Sequence, residues 1–176
     1  RNDAQYGNDF LYGNIIIEGM NGNRQIIHYG GDSGDTSLHR FGLLKCYNNT
    51  IVSLRTDRDT IFRLSNGNEV VDARNNIVYC PDNATFEWTS DDSGGTLYLY
   101  NNWIRSGVTL ANGGSTVVES GSVRTADPGF IDWNGRDFHL ATGSACINAG
   151  TTLHGDCGSY PVTQQYLKHR GYETRP

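Results

Sequence analysis

Two histidines and two aspartates share one short stretch of this chain, His28, Asp32, Asp35 and His39, with Arg40 directly after them. Carboxylates beside imidazoles suit two kinds of chemistry, general acid–base proton transfer and coordination of a divalent cation such as calcium. Tyr29 and Gly30–Gly31 place the cluster on a turn beside a strand. The same residues equally suit a solvated glycine-rich loop whose aspartates cap turns. A second charged stretch, Arg55-Thr-Asp-Arg-Asp59, spaces Asp57 and Asp59 as paired oxygen ligands. Its interleaved arginines would repel a cation and more simply form ion pairs, which contribute little when exposed. Aligning the strands puts His28, Arg63 and Glu87 near one outward column, either the wall of a sugar groove or a charge ladder on a flat face. Tyr98, Tyr100, Trp88, Trp103 and Trp133 offer rings for stacking on sugars, although Trp88 and Trp103 fall at inward positions that suit a core. No G-x-S-x-G, Ser/His/Asp order or phosphate loop is recognisable.

The elements that must position these residues are marked by a repeat. Tyr12-Gly-Asn-Ile-Ile, Tyr47-Asn-Asn-Thr-Ile-Val, Arg74-Asn-Asn-Ile-Val and Tyr100-Asn-Asn-Trp-Ile return at Asn14, Asn49, Asn76 and Asn102, which are 35, 27 and 26 residues apart. Leu44-Lys-Cys46, Val71-Asp-Ala73 and Leu97-Tyr-Leu99 precede the asparagine at one fixed distance and alternate with the period of a strand. A further strand is predicted at Gln25–Tyr29, Thr60–Leu64 and Thr85–Trp88. Three short strands per repeat, with polar turns between them, describe an all-β solenoid: a parallel β-helix of about three to four coils. Asparagine in left-handed geometry permits the sharp bend, and its amide can bond the next amide one rung away. The column Asn14, Asn49, Asn76 and Asn102 is therefore expected to form a structural ladder inside one corner. Insertions at Gly30–Arg40 and Ser90–Gly95 should project from the coil, and Val108–Val118 reads as a last irregular coil.

Bulk properties narrow the functional classes. The 176 residues allow one domain with a real core; 22 glycines suit many tight turns. A net charge of −5 and a pI near 5.4 argue against nucleic acid as the main partner. No apolar run is long enough to span a bilayer. The chain opens Arg1-Asn-Asp-Ala-Gln without Met or a secretory signal, so a processed terminus or a piece of a longer protein is expected. Four cysteines without a CxxC pair argue against zinc. Cys146 and Cys157 are spaced either for a disulfide or as two free thiols, and Cys46 and Cys80 read as buried thiols.

The end of the chain carries a resemblance. Asp127-Pro-Gly-Phe-Ile-Asp132, Asp137-Phe-His-Leu140 and Gly143-Ser-Ala-Cys-Ile-Asn-Ala-Gly150 are similar to the closing segment of right-handed parallel β-helix proteins of the pectate-lyase-like superfamily, in the group with a "choice-of-anchor" ending. Tyr29-Gly-Gly-Asp32, Asn48-Asn-Thr-Ile-Val52, Phe62-Arg-Leu64 and Asp72–Ile77 resemble the coils before that ending, and Pro161–Tyr166 its tail. The resemblance implies coils over residues 1–126 and a capping segment over 127–176 of the same domain. It implies an extracellular or cell-surface protein related to polysaccharide-processing enzymes, with uronan cleavage by β-elimination as the reaction class of an active parent and catalysis mostly outside this segment. Calcium is the cofactor such relatives hold. Where the motif has Pro-Ala and Asp, this chain has Ala145-Cys146 and Asn148, which favours a Cys146–Cys157 bridge and removes a charge. A structural alternative is a surface or filament subunit that assembles through an open N-terminal solenoid edge, with a polysaccharide or another chain as partner.

Overall fold

The repeat builds a coil of stacked strands. The structure, a computed structural model, describes residues 7–82, 85–90, 94–167 and 171–175. The first turn holds β1 (Asn8–Tyr12), β2 (Ile15–Glu18) and β3 (Gln25–Tyr29), and the second β4 (Gly42–Tyr47), β5 (Thr50–Ser53) and β6 (Asp59–Leu64). The third holds β7 (Glu69–Arg74), β8 (Ile77–Tyr79) and β9 (Phe86–Thr89), and the fourth β10 (Thr96–Tyr100), β11 (Trp103–Arg105) and β12 (Thr109–Ala111). Strands β13 (Thr116–Ser120) and β14 (Val123–Thr125) begin a fifth. Like strands pair in parallel into three sheets: A is β1-β4-β7-β10-β13, B is β2-β5-β8-β11-β14, and C is β3-β6-β9-β12. This is a parallel β-helix. Four full turns match the expected three to four coils, and the start of a further one bends through Gly121–Ser122 rather than an asparagine pair. The stretch read as an irregular last coil is β12 closing the fourth turn and β13 opening the next.

Inward residues fill the coil. Leu44, Val71 and Leu97 stack in one column and Cys46, Ala73 and Leu99 in another, as the parallel register requires. Large side chains from sheet C, Ile61, Leu64, Phe86 and Trp88, fill the opposite wall. Each is at most 3% exposed, so every turn depends on its neighbours to cover its inner face.

The asparagine pairs divide two tasks between two residues. The first of each pair, Asn48, Asn75 and Asn101, holds the left-handed conformation with φ of 54°, 58° and 52°, and Gly13 does so on the first turn at 65°. The second carries the ladder. Asn49 Nδ2 donates to Asn76 Oδ1 at 2.9 Å, Asn76 Nδ2 donates to Asn102 Oδ1 at 2.9 Å, and Asn14 Nδ2 donates to Asn49 Oδ1 at 3.1 Å. Each Oδ1 also accepts the backbone N–H of the asparagine before it in the column. Each amide further donates to a strand carbonyl of the preceding turn: Asn49 to Leu11, Asn76 to Cys46 and Asn102 to Ala73. Buried amides so fully engaged stabilise the corner and fix its register.

The last part of the chain, residues 127–175, runs along the side of the coil. Hairpins β15 (Phe130–Asp132)–β16 (Asp137–Leu140) and β17 (Gln164–Leu167)–β18 (Gly171–Thr174) are antiparallel. Phe130, Trp133, Phe138 and Tyr166 pack on Val52, Tyr79 and Trp103, which face outward from sheet B. Trp88 is in the core as its inward position suggests. Trp103 is buried on the opposite face, under the hairpins, because Asn102 and Ile104 are the inward residues of its strand. Residues 148–162 form a strap across the asparagine corner. Asn101 Nδ2 donates to Ala149 O at 2.8 Å, Asn75 exchanges two bonds with Thr151, and Arg74 Nη1 donates to Thr152 O at 2.9 Å. The strap then reaches sheet A, where Tyr160 O accepts from Tyr47 Oη at 2.7 Å.

This path rules out the expected disulfide. Cys146 packs in the cluster on sheet B, Cys157 lies buried beside Tyr47 and Lys45 on sheet A, and the asparagine corner stands between them. All four cysteines are free thiols. Burial pushes the Cys46 thiol up to about 12, and burial likewise raises Cys80, Cys146 and Cys157, so they are poor nucleophiles. Among the described residues no helix is long and apolar enough to cross a membrane. The predicted Ser90–Gly95 insertion includes residues 91–93, and the expected processed terminus is Arg1; both lie outside the described residues.

Candidate functional site

The His/Asp stretch follows β3 into the longest loop between sheets C and A, which carries a single 3₁₀ turn at Thr36–Leu38. The structure divides its residues among different partners. Asp35 caps that 3₁₀ turn, accepting from Ser37 N at 2.9 Å. Arg40 leaves the group for β1, where it meets Asp9 Oδ1 at 2.6 Å; Asp9 Oδ2 also accepts from Tyr29 Oη. His39 turns inward, its Nε2 2.7 Å from Ser33 O and its Nδ1 3.3 Å from Asn66 Nδ2. Below it Glu69 is fully buried and accepts from Asn66 N at 2.6 Å, and burial raises its pKa.

His28 and Asp32 stay together and gain a residue that sequence reading missed. His28 Nε2 lies 2.8 Å from Ser65 Oγ, and Nδ1 lies 3.5 Å from Asp32 Oδ2. Arg63, which sits opposite His28 in the strand register, holds Asp32 Oδ1 at 2.5 Å. Ser65 Oγ also accepts from Gly31 N at 2.9 Å. Gly30 permits this approach: at φ 130° a side chain there would place its Cβ 2.3 Å from Ser65 Oγ. Ser65 comes from the next turn of the coil, 37 residues from His28, so only the parallel register brings them together.

Glu87 does not share the His28–Arg63 column. It pairs in register with Thr60, three positions earlier along the strand than expected, because β9 is offset relative to the alignment by chemistry alone. There it accepts from Arg58 Nε at 2.9 Å and Thr60 Oγ1 at 3.2 Å. The neighbouring Asp57 and Asp59 also separate. Asp57 pairs with Arg55 at 2.7 Å, whereas Asp59 is buried, accepts from Ser53 Oγ and Thr60 N, and is raised by burial to about 6. Among the described residues no three of His, Cys, Asp or Glu converge to hold a metal ion. Tyr98 and Tyr100 both face outward from sheet A, with rings 6.1 Å apart, and Trp133 packs edge-on to Tyr79.

The strap and hairpins enclose a second location. A groove of about 660 Å³ runs between the asparagine corner and the C-terminal segment, lined among others by Trp103, His139, Asn148, Gln164, Gln165 and Arg175. Asn148, where the resembled motif carries Asp, adopts φ 58°, a conformation that its short polar side chain tolerates. His139 Nδ1 meets Asp137 Oδ1 at 2.6 Å and Nε2 faces Glu173 at 3.4 Å. The bond to Asp137, reinforced by Glu173, holds the imidazole above its usual range. Asp137-Phe-His-Leu140 is visible in the sequence, but the facing Gln165 and Glu173 come from a hairpin whose docking no local pattern announces. No protein-family model, no curated protein and no solved structure matches this chain.

Proposed function

We propose that this chain is a glycan-binding portion of an extracellular or cell-surface β-helix protein of the pectate-lyase-like superfamily, related to polysaccharide-processing enzymes. The observation that carries the reading is the groove beside the asparagine corner. Its volume of about 660 Å³ is in the range of small-ligand sites. Side-chain amides such as those of Asn148, Gln164 and Gln165 both donate and accept, which matches the paired hydroxyls of a sugar ring. Arg175 on the rim suits the carboxylate of a uronate. Cleavage by β-elimination, if the parent protein performs it, belongs to coils beyond this segment. Titration of the chain with neutral and uronate oligosaccharides, followed by amide NMR, tests the reading. Expected shifts cluster at His139, Asn148 and Gln164–Gln165; no binding at millimolar sugar across the panel would overturn it, and growth of ultraviolet absorbance on a uronan would add lyase activity.

A second reading, assembly through the first turn, is favoured by one observation. Within the described residues β1, β2 and β3 each pair on one side only, and Ile17 and Met20 beside that edge are 39% and 66% exposed. Edges of this kind recruit further strands. Ordered polymers seen by electron microscopy of the purified chain would support it, and a monomer at high concentration would dismiss it.

A further inference from the structure

We propose that Ser65, His28 and Asp32 form a nucleophilic triad that hydrolyses small O-acyl esters, a reaction separate from the glycan reading and not dependent on it. Each role follows from an atom's position. The Asp32 carboxylate beside Nδ1 favours the tautomer with the imidazole proton on Nδ1. That leaves Nε2 as an acceptor, 2.8 Å from Ser65 Oγ. Gly31 N–H already donates to Oγ, so the single hydroxyl hydrogen of Ser65 is directed to Nε2. Arg63 fixes Asp32 through its other oxygen, Oδ1, and so orients the acid that orients the base. At 3.5 Å the Nδ1–Asp32 contact is longer than a formed hydrogen bond, and the triad requires it to shorten around substrate. The side chain of His28 is 25% exposed, so an ester can reach the pair from solvent.

The chemistry closes without any other reactant than water. Ser65 Oγ attacks the acyl carbonyl while its proton passes to His28 Nε2, and the carbonyl oxygen becomes an oxyanion. Gly31 N–H, which donates to Oγ at rest, is the nearest backbone donor, and it must turn from Oγ to the adjacent oxyanion to stabilise it. Collapse breaks the ester C–O bond, and the leaving alkoxide takes the proton from His28 to depart as an alcohol. Water, deprotonated by the same nitrogen, then attacks the acyl-serine and releases the carboxylic acid and free Ser65. The chain order is His, Asp, Ser, and Gly30, on the turn of His28, leaves the room that the Ser65 side chain of the next turn occupies. A short acyl group is the expected preference, because the site is open to solvent, with Asp32 itself 70% exposed.

The test uses the full chain. Incubation with a fluorophosphonate probe should leave an adduct that peptide mass spectrometry locates on Ser65. Turnover of 4-nitrophenyl acetate should exceed the buffer rate and fall by roughly 10³-fold or more in Ser65→Ala and His28→Ala. Circular dichroism and melting of each variant separate loss of reaction from loss of fold. Absence of a Ser65 adduct on the unaltered chain, a reading that needs no variant, overturns the triad. So does a folded Ser65→Ala protein that retains the original rate.

Discussion

The corner between sheets A and B is built alike on each turn, whereas the corner between sheets C and A is built differently each time. The first uses a two-residue bend throughout: Gly13–Asn14, Asn48–Asn49, Asn75–Asn76, Asn101–Asn102 and Gly121–Ser122. The second spans residues 30–41 on one turn, 65–68 on the next and 112–115 on a later one. Identity from turn to turn lets side chains bond to their own copies, so the first corner is a stabilising column. Variation breaks that column and lets unlike groups meet, as His28 meets Ser65. In a solenoid, repetition therefore marks where energy is stored, and departure from it marks where chemistry has room.

The sharpest way to break this comparison is to remove one interior rung. Asn76→Ala deletes a fully engaged amide and removes the side-chain partners of Cys46 O and Asn49 N in a buried corner, while Asn102 Oδ1 keeps only the backbone N–H of residue 76. A loss on the order of 4 kcal/mol is expected from buried groups left without partners, read as a lower denaturation midpoint with an unchanged fold signal. A loss below about 1 kcal/mol, the cost of one ordinary hydrogen bond, would deny the ladder its role.

The asparagine column was readable because the sheets are in register with the sequence repeat, and each unit carries the same dipeptide at the same place. What the dipeptide hid was its division of labour: the ladder residue is not the left-handed one. The candidate site was only half legible. His28 and Asp32 are four residues apart and suggest their contact, but Ser65 is unremarkable in sequence and becomes a neighbour only across a rung. Glu87 failed for the converse reason, since counting residues across variable turns cannot fix the offset of β9. The strap was recognisable as a segment, but its route along the coil rests on side-chain contacts with Asn75, Asn101 and Tyr47.

The corner between sheets B and C supplies the next largest effect. Burial raises Asp59 from 3.8 to about 6, so the native state binds its proton more tightly than the unfolded chain does. The resulting stabilisation is full below pH 3.8 and is lost as pH rises to about 6. At 1.36 kcal/mol per pH unit the slope sums to about 3 kcal/mol. Asp59→Asn keeps an acceptor for Thr60 N and should flatten this dependence, with equal or greater stability at pH 7. Identical slopes in both proteins, measured by denaturant titration at pH 4 and pH 7, would show that Asp59 is not the source. A smaller effect is expected at the variable corner. Gly30→Ala meets both a positive φ and the Ser65 side chain and should cost about 2 kcal/mol. Its probe labelling at Ser65 should fall further than its stability.

The smallest effect separates the column from the strap laid across it. Asn75 belongs to the repeated corner by backbone, with φ 58°, but its side chain serves the strap through Thr151 O at 2.8 Å and Thr151 N at 2.7 Å. Glycine accepts the same φ without a side chain, so Asn75→Gly removes those two bonds and leaves the bend intact. Both bonds are only partly buried, so water replaces them and the cost should be about 1 kcal/mol. Amide exchange should record where that cost falls. Thr151 should exchange several-fold faster, while the amides of β7 and β8, held by neighbouring turns, should keep their rates. Equal acceleration in β7 would mean that the strap and the coil unfold as one unit. In that case the groove between them would be a fixed cleft rather than a space whose outer wall can loosen.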